Sequence, residues 1–256
     1  MTRTTPQRLL LNCDMGESFG QWTMGRDEQV MPLVELANVA CGFHASDPVT
    51  IHRTLALAAE AGTRVGAHPS YPDLAGFGRR SMDCSHEEVV TMVRYQVGAL
   101  EGLCRAHGIT LHHVKPHGAL YNDMMKSTPL QRAVLEALSP WQGALPLMVL
   151  AGVDNSALQD LAAGYGVPLL LEAFADRVYE PSGQLRPRSQ PGAVHSDPQA
   201  ILQQALGLAR DGHVATADGG RLSLPADTLC VHGDNDASVE SVRAIREALD
   251  RHYGGL

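Results

Sequence analysis

This chain of 256 residues is poor in the features that would place it in an oxidising compartment, a membrane or a nucleic-acid complex. It has five cysteines, an odd number, and no CxxC pair, so a disulfide framework is not expected and free thiols in a reducing compartment are. No apolar run approaches the roughly 18 residues of a membrane span. The N-terminal stretch MTRTTPQRLLLNCD has no apolar core ending in small residues, so no secretory leader is expected and the cytoplasm is the expected location. There is no excess of positive charge: the formal net charge is −8, which argues against nucleic acid or an anionic membrane surface as the main partner. If the substrate is itself an anion, the site must supply local positive charge against that background. The Walker A loop, GxxxxGK followed by Ser or Thr, is absent, so any use of ATP needs another nucleotide site or a partner. HExxH is absent too. No serine nucleophile elbow of the α/β-hydrolase type is expected.

What is present looks like one folded unit. Hydrophobic residues make up 44% and charged residues 19%, and the length suits an α/β barrel with a core large enough to need no staple. Seven apolar runs of strand length are expected at 8–13, 36–41, 63–67, 110–114, 145–151, 168–173 and 227–231. Helices are expected at 48–61, 85–107, 128–138, 155–164, 198–211 and 236–251, with Asp47 and Ser85 as N-caps and Gly62 and Gly108 just past the ends. The segment after the first strand is the weakest helix candidate. Repeated strand–helix units imply a parallel sheet, and about seven of them favour a single-domain (β/α)7-type barrel over 1–256. The stretch 179–195, rich in Pro, Gly, Ser and Arg, is expected to be an ordered excursion near the site.

The polar residues fall where such a barrel places its chemistry, at the C-terminal ends of strands. Asp14 and Glu17 follow the first strand and suit a general acid/base pair or metal ligands; alternatively Asp14 only caps a turn. His44 follows the second strand and His68 the third. With Asp14, these two histidines are a candidate divalent-metal set, or they are core histidines bonded to backbone. Lys115 ends the fourth strand and is read as a clamp for a carboxylate or phosphoryl group, with His117 two residues on and Tyr121 nearby; the bland alternative is a lysine snorkelling at the rim. Arg79 and Arg177 suit a substrate carboxylate, although Arg177 could equally pair with Asp176. His232 and Asp234 end the last strand, and Asp234 is expected to orient His232 unless it only starts the final helix. His52, His86, His107, His213 and His252 fall on helix faces or ends and are read as solvated. The cysteines are read as small buried hydrophobes.

With these stretches in view, the chain resembles the LamB/YcsF family, the A subunit of bacterial ATP-dependent 5-oxoprolinase. The resemblance runs from about Leu10 to Leu249 through LNCDMGESFGQW, NVACGFHASDP, VGAHPSYPDLAGFGRR, YQVGAL, HVKPHGALYN, EAFADRVY and ADTLCVHGD. Two positions depart from the family pattern: Ser46 stands where the pattern has Gly, and Asn235 where HGD is followed by Thr. The resemblance implies a barrel like those of glycoside hydrolases and metal-dependent polysaccharide deacetylases. It implies conversion of 5-oxo-L-proline, ATP and water to L-glutamate, ADP and phosphate, with ATP as co-substrate and with partner subunits B and C. Two rival readings stay open: a metal-dependent deacetylase or amidohydrolase acting alone, and a non-catalytic subunit that binds substrate or regulates its partners.

Overall fold

A computed structural model describes residues 8–188 and 190–254. Residues 1–7 of the stretch 1–14 read for a leader lie outside the described residues, as do 189 within the excursion and 255–256. The chain alternates strand and helix from its first element. β1 is Leu10–Met15, α1 Asp27–Val30, β2 Leu36–Ala40, α2 Pro48–Ala61, β3 Arg64–His68, α3 His86–Ala106 and β4 His113–Val114. Then come α4 Gly118–Met124, α5 Thr128–Leu138, β5 Leu147–Leu150, α6 Ser156–Gly164, β6 Leu169–Phe174 and α7 Pro198–Asp211. β7 His213–Ala215, β8 Arg221–Ser223, β9 Thr228–Val231 and α8 Asp236–Tyr253 complete it.

β1, β2, β3, β4, β5, β6 and β9 close into a barrel in that order, all parallel, with β9 returning beside β1. This is the seven-stranded α/β barrel expected from the spacing of apolar runs. The runs read as strands because parallel strands are covered on both faces: all five residues of β2 and all four of β9 are buried. The helices read from their caps. Asp47 accepts from the amides of Val49 and Thr50 to start α2, and Gly62 ends it in the left-handed conformation. Ser85 and Glu88 exchange hydrogen bonds in a capping box that opens α3. The buried stripe of α3, Val89, Val93, Val97, Leu100 and Cys104, recurs at three and four residues and packs beside α5.

Three features differ from the sequence expectation. After β1 the chain makes only one helical turn and a short 3-10 turn, 31–33. α4 was not anticipated, because seven residues are too few to declare a period. β7 and β8 form a two-stranded antiparallel ribbon outside the barrel. Between β1 and α1, Phe19 and Trp22 pair across a tight turn with stacked rings, and Trp22 is 72% exposed.

The barrel interior is partly polar. Asn12 donates to Thr228 Oγ1 (2.9 Å), Asn38 donates to Asn12 (2.8 Å) and to Asp14 (2.9 Å), and His113 Nε2 meets Asn38 Oδ1 at 2.7 Å. Gly66 makes room for that imidazole, since a Cβ there would lie 2.2 Å from it. This chain of hydrogen bonds climbs from the interior to the strand ends that carry Asp14 and Lys115.

Candidate active site

Ten of the eleven residues singled out in the sequence line one cavity of about 470 Å³ at the C-terminal ends of the barrel strands: Asp14, Glu17, His68, Arg79, Lys115, His117, Tyr121, Arg177, His232 and Asp234. The eleventh, His44, is buried directly behind, its ring stacked on that of His117 at 3.7 Å and 2°. The cavity has two distinct corners.

In the first corner Lys115 is nearly fully buried and lies between two carboxylates. Its Nζ is 3.0 Å from Asp14 Oδ1 and 2.8 Å from Glu172 Oε1, with Asn12 Oδ1 at 3.3 Å. Burial alone would push the ammonium down, but Asp14, Cys230 and Glu172 hold its pKa well above the usual lysine value. Burial likewise pushes Asp14 up, yet His68 and Lys115 leave it well below the usual carboxylate range. Tyr121 donates its hydroxyl to Glu172 at 3.1 Å. Lys115, expected to clamp a carboxylate or phosphoryl group, lines the cavity with its charge met by two acids of the chain. Tyr121, expected to contact substrate, lines the cavity and through that bond also holds Glu172. Glu172 itself was missed, although a lone Glu in the apolar run LLLEAF of β6 is a signal in its own right.

In the second corner Glu17, His44, His68 and His117 converge, with one ligand-type atom from each inside a 4.8 Å group. Glu17 Oε1 lies 3.4 Å from His44 Nε2 and 3.6 Å from His117 Nδ1. Burial pushes His44 and His117 below the usual histidine value, and burial with Asp14 pushes Glu17 up. The metal set expected from sequence, Asp14, His44 and His68, is corrected here. Asp14 touches His68 Nε2 at 3.3 Å but turns its other oxygen to Lys115, and Glu17 and His117 complete the group. Gly78, at φ +63, presses its backbone against this corner; a Cβ there would lie 2.8 Å from both His117 and His44. His113 and His117 stand four apart, but His113 points into the barrel and only His117 joins the group.

The rim carries the remaining candidates. His232 Nδ1 sits 2.9 Å from Asp176 Oδ2, so the orienting carboxylate is Asp176 and not Asp234. Asp234 is exposed at the start of α8, where Asn235 is the N-cap, accepting from the Ser238 amide. Arg177 lines the cavity too, and its guanidinium donates to the carbonyls of Ala193 and Arg186 and so ties down the excursion, which walls the cavity with Leu185, Arg188, Val194 and His195. Arg79 lies over the Phe77 ring, and neither it nor Arg188 forms an ion pair among the described residues. Ser18 sits in a Gly-Glu-Ser-Phe-Gly stretch with the spacing of a nucleophile elbow, but a hairpin turn follows it rather than a helix, and its hydroxyl bonds the Met24 backbone. All five cysteines are free, and burial pushes the four buried thiols up, to about 12 for Cys41 and Cys104. No helix is long and apolar enough to cross a membrane among the described residues.

Comparison with known proteins agrees with this architecture. The chain is 58% identical to a protein of Pseudomonas fluorescens named as the A subunit of 5-oxoprolinase, over 96% of this chain and 99% of that one. It is 58% identical to a protein of the same name from Chromohalobacter salexigens, over 94% and 96% of the two chains. The crystal structure of a lactam utilization protein from Thermus thermophilus superposes with a TM-score of 0.89 at 44% identity, covering 96% of this chain and 98% of the other. The model of the LamB/YcsF family matches residues 9–254, and the chain belongs to that family.

Proposed function

We propose that this chain is the A subunit of an ATP-dependent 5-oxoprolinase, that it binds 5-oxo-L-proline in the barrel mouth, and that it works in the cytoplasm with subunits B and C. The single observation that carries the reading is the buried Lys115 ammonium set between Asp14 and Glu172 on the floor of a cavity whose rim holds Arg79 and Arg188, neither of them in an ion pair among the described residues. The rim arginines suit the ring carboxylate, because guanidinium binds carboxylate in a bidentate fashion. The floor suits the amide. Asp14 is held ionised beside the cavity and can take a proton from water, while Lys115 can steady the oxygen on the carbon under attack.

A lactam is a weak electrophile, and its opening to an amino acid is uphill near neutral pH without coupling. Phosphorylation of the amide oxygen supplies a leaving group. Water then adds its oxygen to that carbon, the C–N bond breaks and the nitrogen gains a proton as the amine, which leaves an acyl phosphate; a second water hydrolyses it to the side-chain carboxylate of glutamate and free phosphate. With no Walker A loop in the chain, the phosphoryl step is assigned to the partners. The histidine corner supports one second reading, a metal-dependent amidohydrolase acting alone. The test is 5-oxoproline cleavage by this chain alone and with subunits B and C, with and without ATP. Turnover is expected only in the complete mixture, falling by about 100-fold or more with Asp14→Asn. Cleavage by the isolated chain without ATP, or near-normal turnover of Asp14→Asn, overturns the reading.

A further inference from the structure

Four side chains in the second corner aim unshared electron pairs at one spot. The partners of the three imidazoles fix this. His68 Nδ1 lies 2.6 Å from the Lys115 carbonyl oxygen, which can only accept, so Nδ1 carries a proton, and in the neutral ring Nε2, which also lies 3.3 Å from Asp14 Oδ2, is bare. His117 Nε2 lies 2.9 Å from the Phe77 carbonyl oxygen, so its Nδ1 is bare. Ser70 gives its hydroxyl proton to the Tyr71 carbonyl at 2.9 Å, so it accepts from His44 Nδ1 at 3.0 Å and leaves His44 Nε2 bare. With both rings neutral, His68 Nε2 and His117 Nδ1 face each other at 3.0 Å with no proton between them. His44 Nε2 faces Glu17 Oε1 at 3.4 Å, and both atoms are buried without a hydrogen-bond partner. Buried lone pairs so close together repel unless a cation sits among them.

We propose that Glu17, His44, His68 and His117 bind one divalent transition-metal ion of the zinc type. Three imidazoles and a carboxylate are the donors such an ion prefers over the hard cations. Metal–donor bonds of about 2.0–2.1 Å in a tetrahedron set the donors about 3.3–3.4 Å apart, and three of the spacings here are 3.0, 3.4 and 3.6 Å. Each ring anchors its other nitrogen on a carbonyl or hydroxyl oxygen, the arrangement that orients metal-binding histidines. Charge points the same way. Across the two corners three carboxylates, Asp14, Glu17 and Glu172, face the single ammonium of Lys115, and a divalent ion neutralises the surplus. Glu17, His68 and His117 line the cavity, so the ion would stand within reach of whatever fills it. Protons in place of the ion would have to be two, one for each facing pair.

The test uses the full chain, stripped by chelator and titrated with Zn²⁺ and Co²⁺. About one equivalent is expected to bind, with the visible absorption of four-coordinate Co²⁺ and a rise in Tm. Glu17→Gln and His44→Ala should each weaken binding by about 100-fold, whereas His86→Ala, a surface histidine paired with Glu136, should leave it unchanged. Glu17→Gln keeps the side chain's shape and decides the matter if the histidine variant fails to fold. Absence of binding at about 1 mM of either ion, or equally tight binding by Glu17→Gln, overturns the proposal in favour of the two protons or of another site. None of these readouts involves lactam turnover, so this inference and the ring-opening reading can fail independently.

Discussion

The two corners of the cavity share the Asp14–His68 contact of 3.3 Å yet handle charge in opposite ways. Around Lys115 the chain supplies both signs of charge, and the carboxylates of Asp14 and Glu172 are held by one ammonium. Around Glu17 the chain supplies only electron pairs. Burial is similar in both places, so the difference lies in what was placed there. A corner completed from within needs nothing to be stable, whereas a corner built only of donors is arranged for a visitor. One feature of the second corner carries a local cost of its own: Ser46, which leads from His44 into α2, has φ +73 and a buried hydroxyl without a partner.

The largest test of this contrast is Lys115→Met. Without its ammonium the carboxylates of Asp14 and Glu172 are left with no cation between them. Loss of the ammonium should cost about 3–5 kcal/mol in denaturant unfolding, and adding Glu172→Gln should return part of that. Simple addition of the two losses would mean that the corner is not a charge-compensated unit.

The rim offers a smaller test with a defined sign. Burial would lower His232, but Asp176 and Asp14 hold it above its ordinary 6.5, with Arg188 opposing. Burial would raise Asp176, but His232 and the arginines at 188 and 177 hold it below 3.8. A raised histidine stabilises fully below 6.5 and loses its effect as pH rises through its folded value. A lowered carboxylate stabilises fully above 3.8 and loses its effect as pH falls through its folded value. The pair therefore contributes most between those limits. The Tm difference between the parent and His232→Asn should be greatest near pH 5 and shrink above neutrality. A difference that grows with pH would reverse the assignment.

The smallest expected effect is at Ser46. Ser46→Gly relieves the left-handed backbone and removes the unpartnered hydroxyl, against the greater freedom of glycine in the unfolded chain. A net gain of about 1 kcal/mol, or roughly 2–4 °C in Tm, is expected by thermal unfolding. A loss would mean that the Ser46 hydroxyl is held by something other than strain.

Much of the architecture was legible because continuous burial leaves a plain mark: LLLNC, LPLMVLA and ADTLCV read as strands without reference to anything else. The ribbon of β7 and β8 left no such mark, since its short strands are mostly not buried. The positions of the cavity residues were legible from strand ends, but their partnerships were not. Whether His232 turns to Asp234, two residues on, or to Asp176, just past the end of β6, is settled by side-chain direction, which the sequence does not encode. Glu172 escaped for a different reason: attention to strand ends passes over a charge inside a strand, and the sixth strand of a barrel exposes its inward face to the same space as its end.

The hairpin turn of Phe19 and Trp22 gives the chain an optical reporter. Trp22 stands bare to solvent five residues from Glu17, and only one other tryptophan competes with it. A protein that settles over the mouth would shield this indole and shift its emission to the blue, so that assembly can be followed by fluorescence with no label attached.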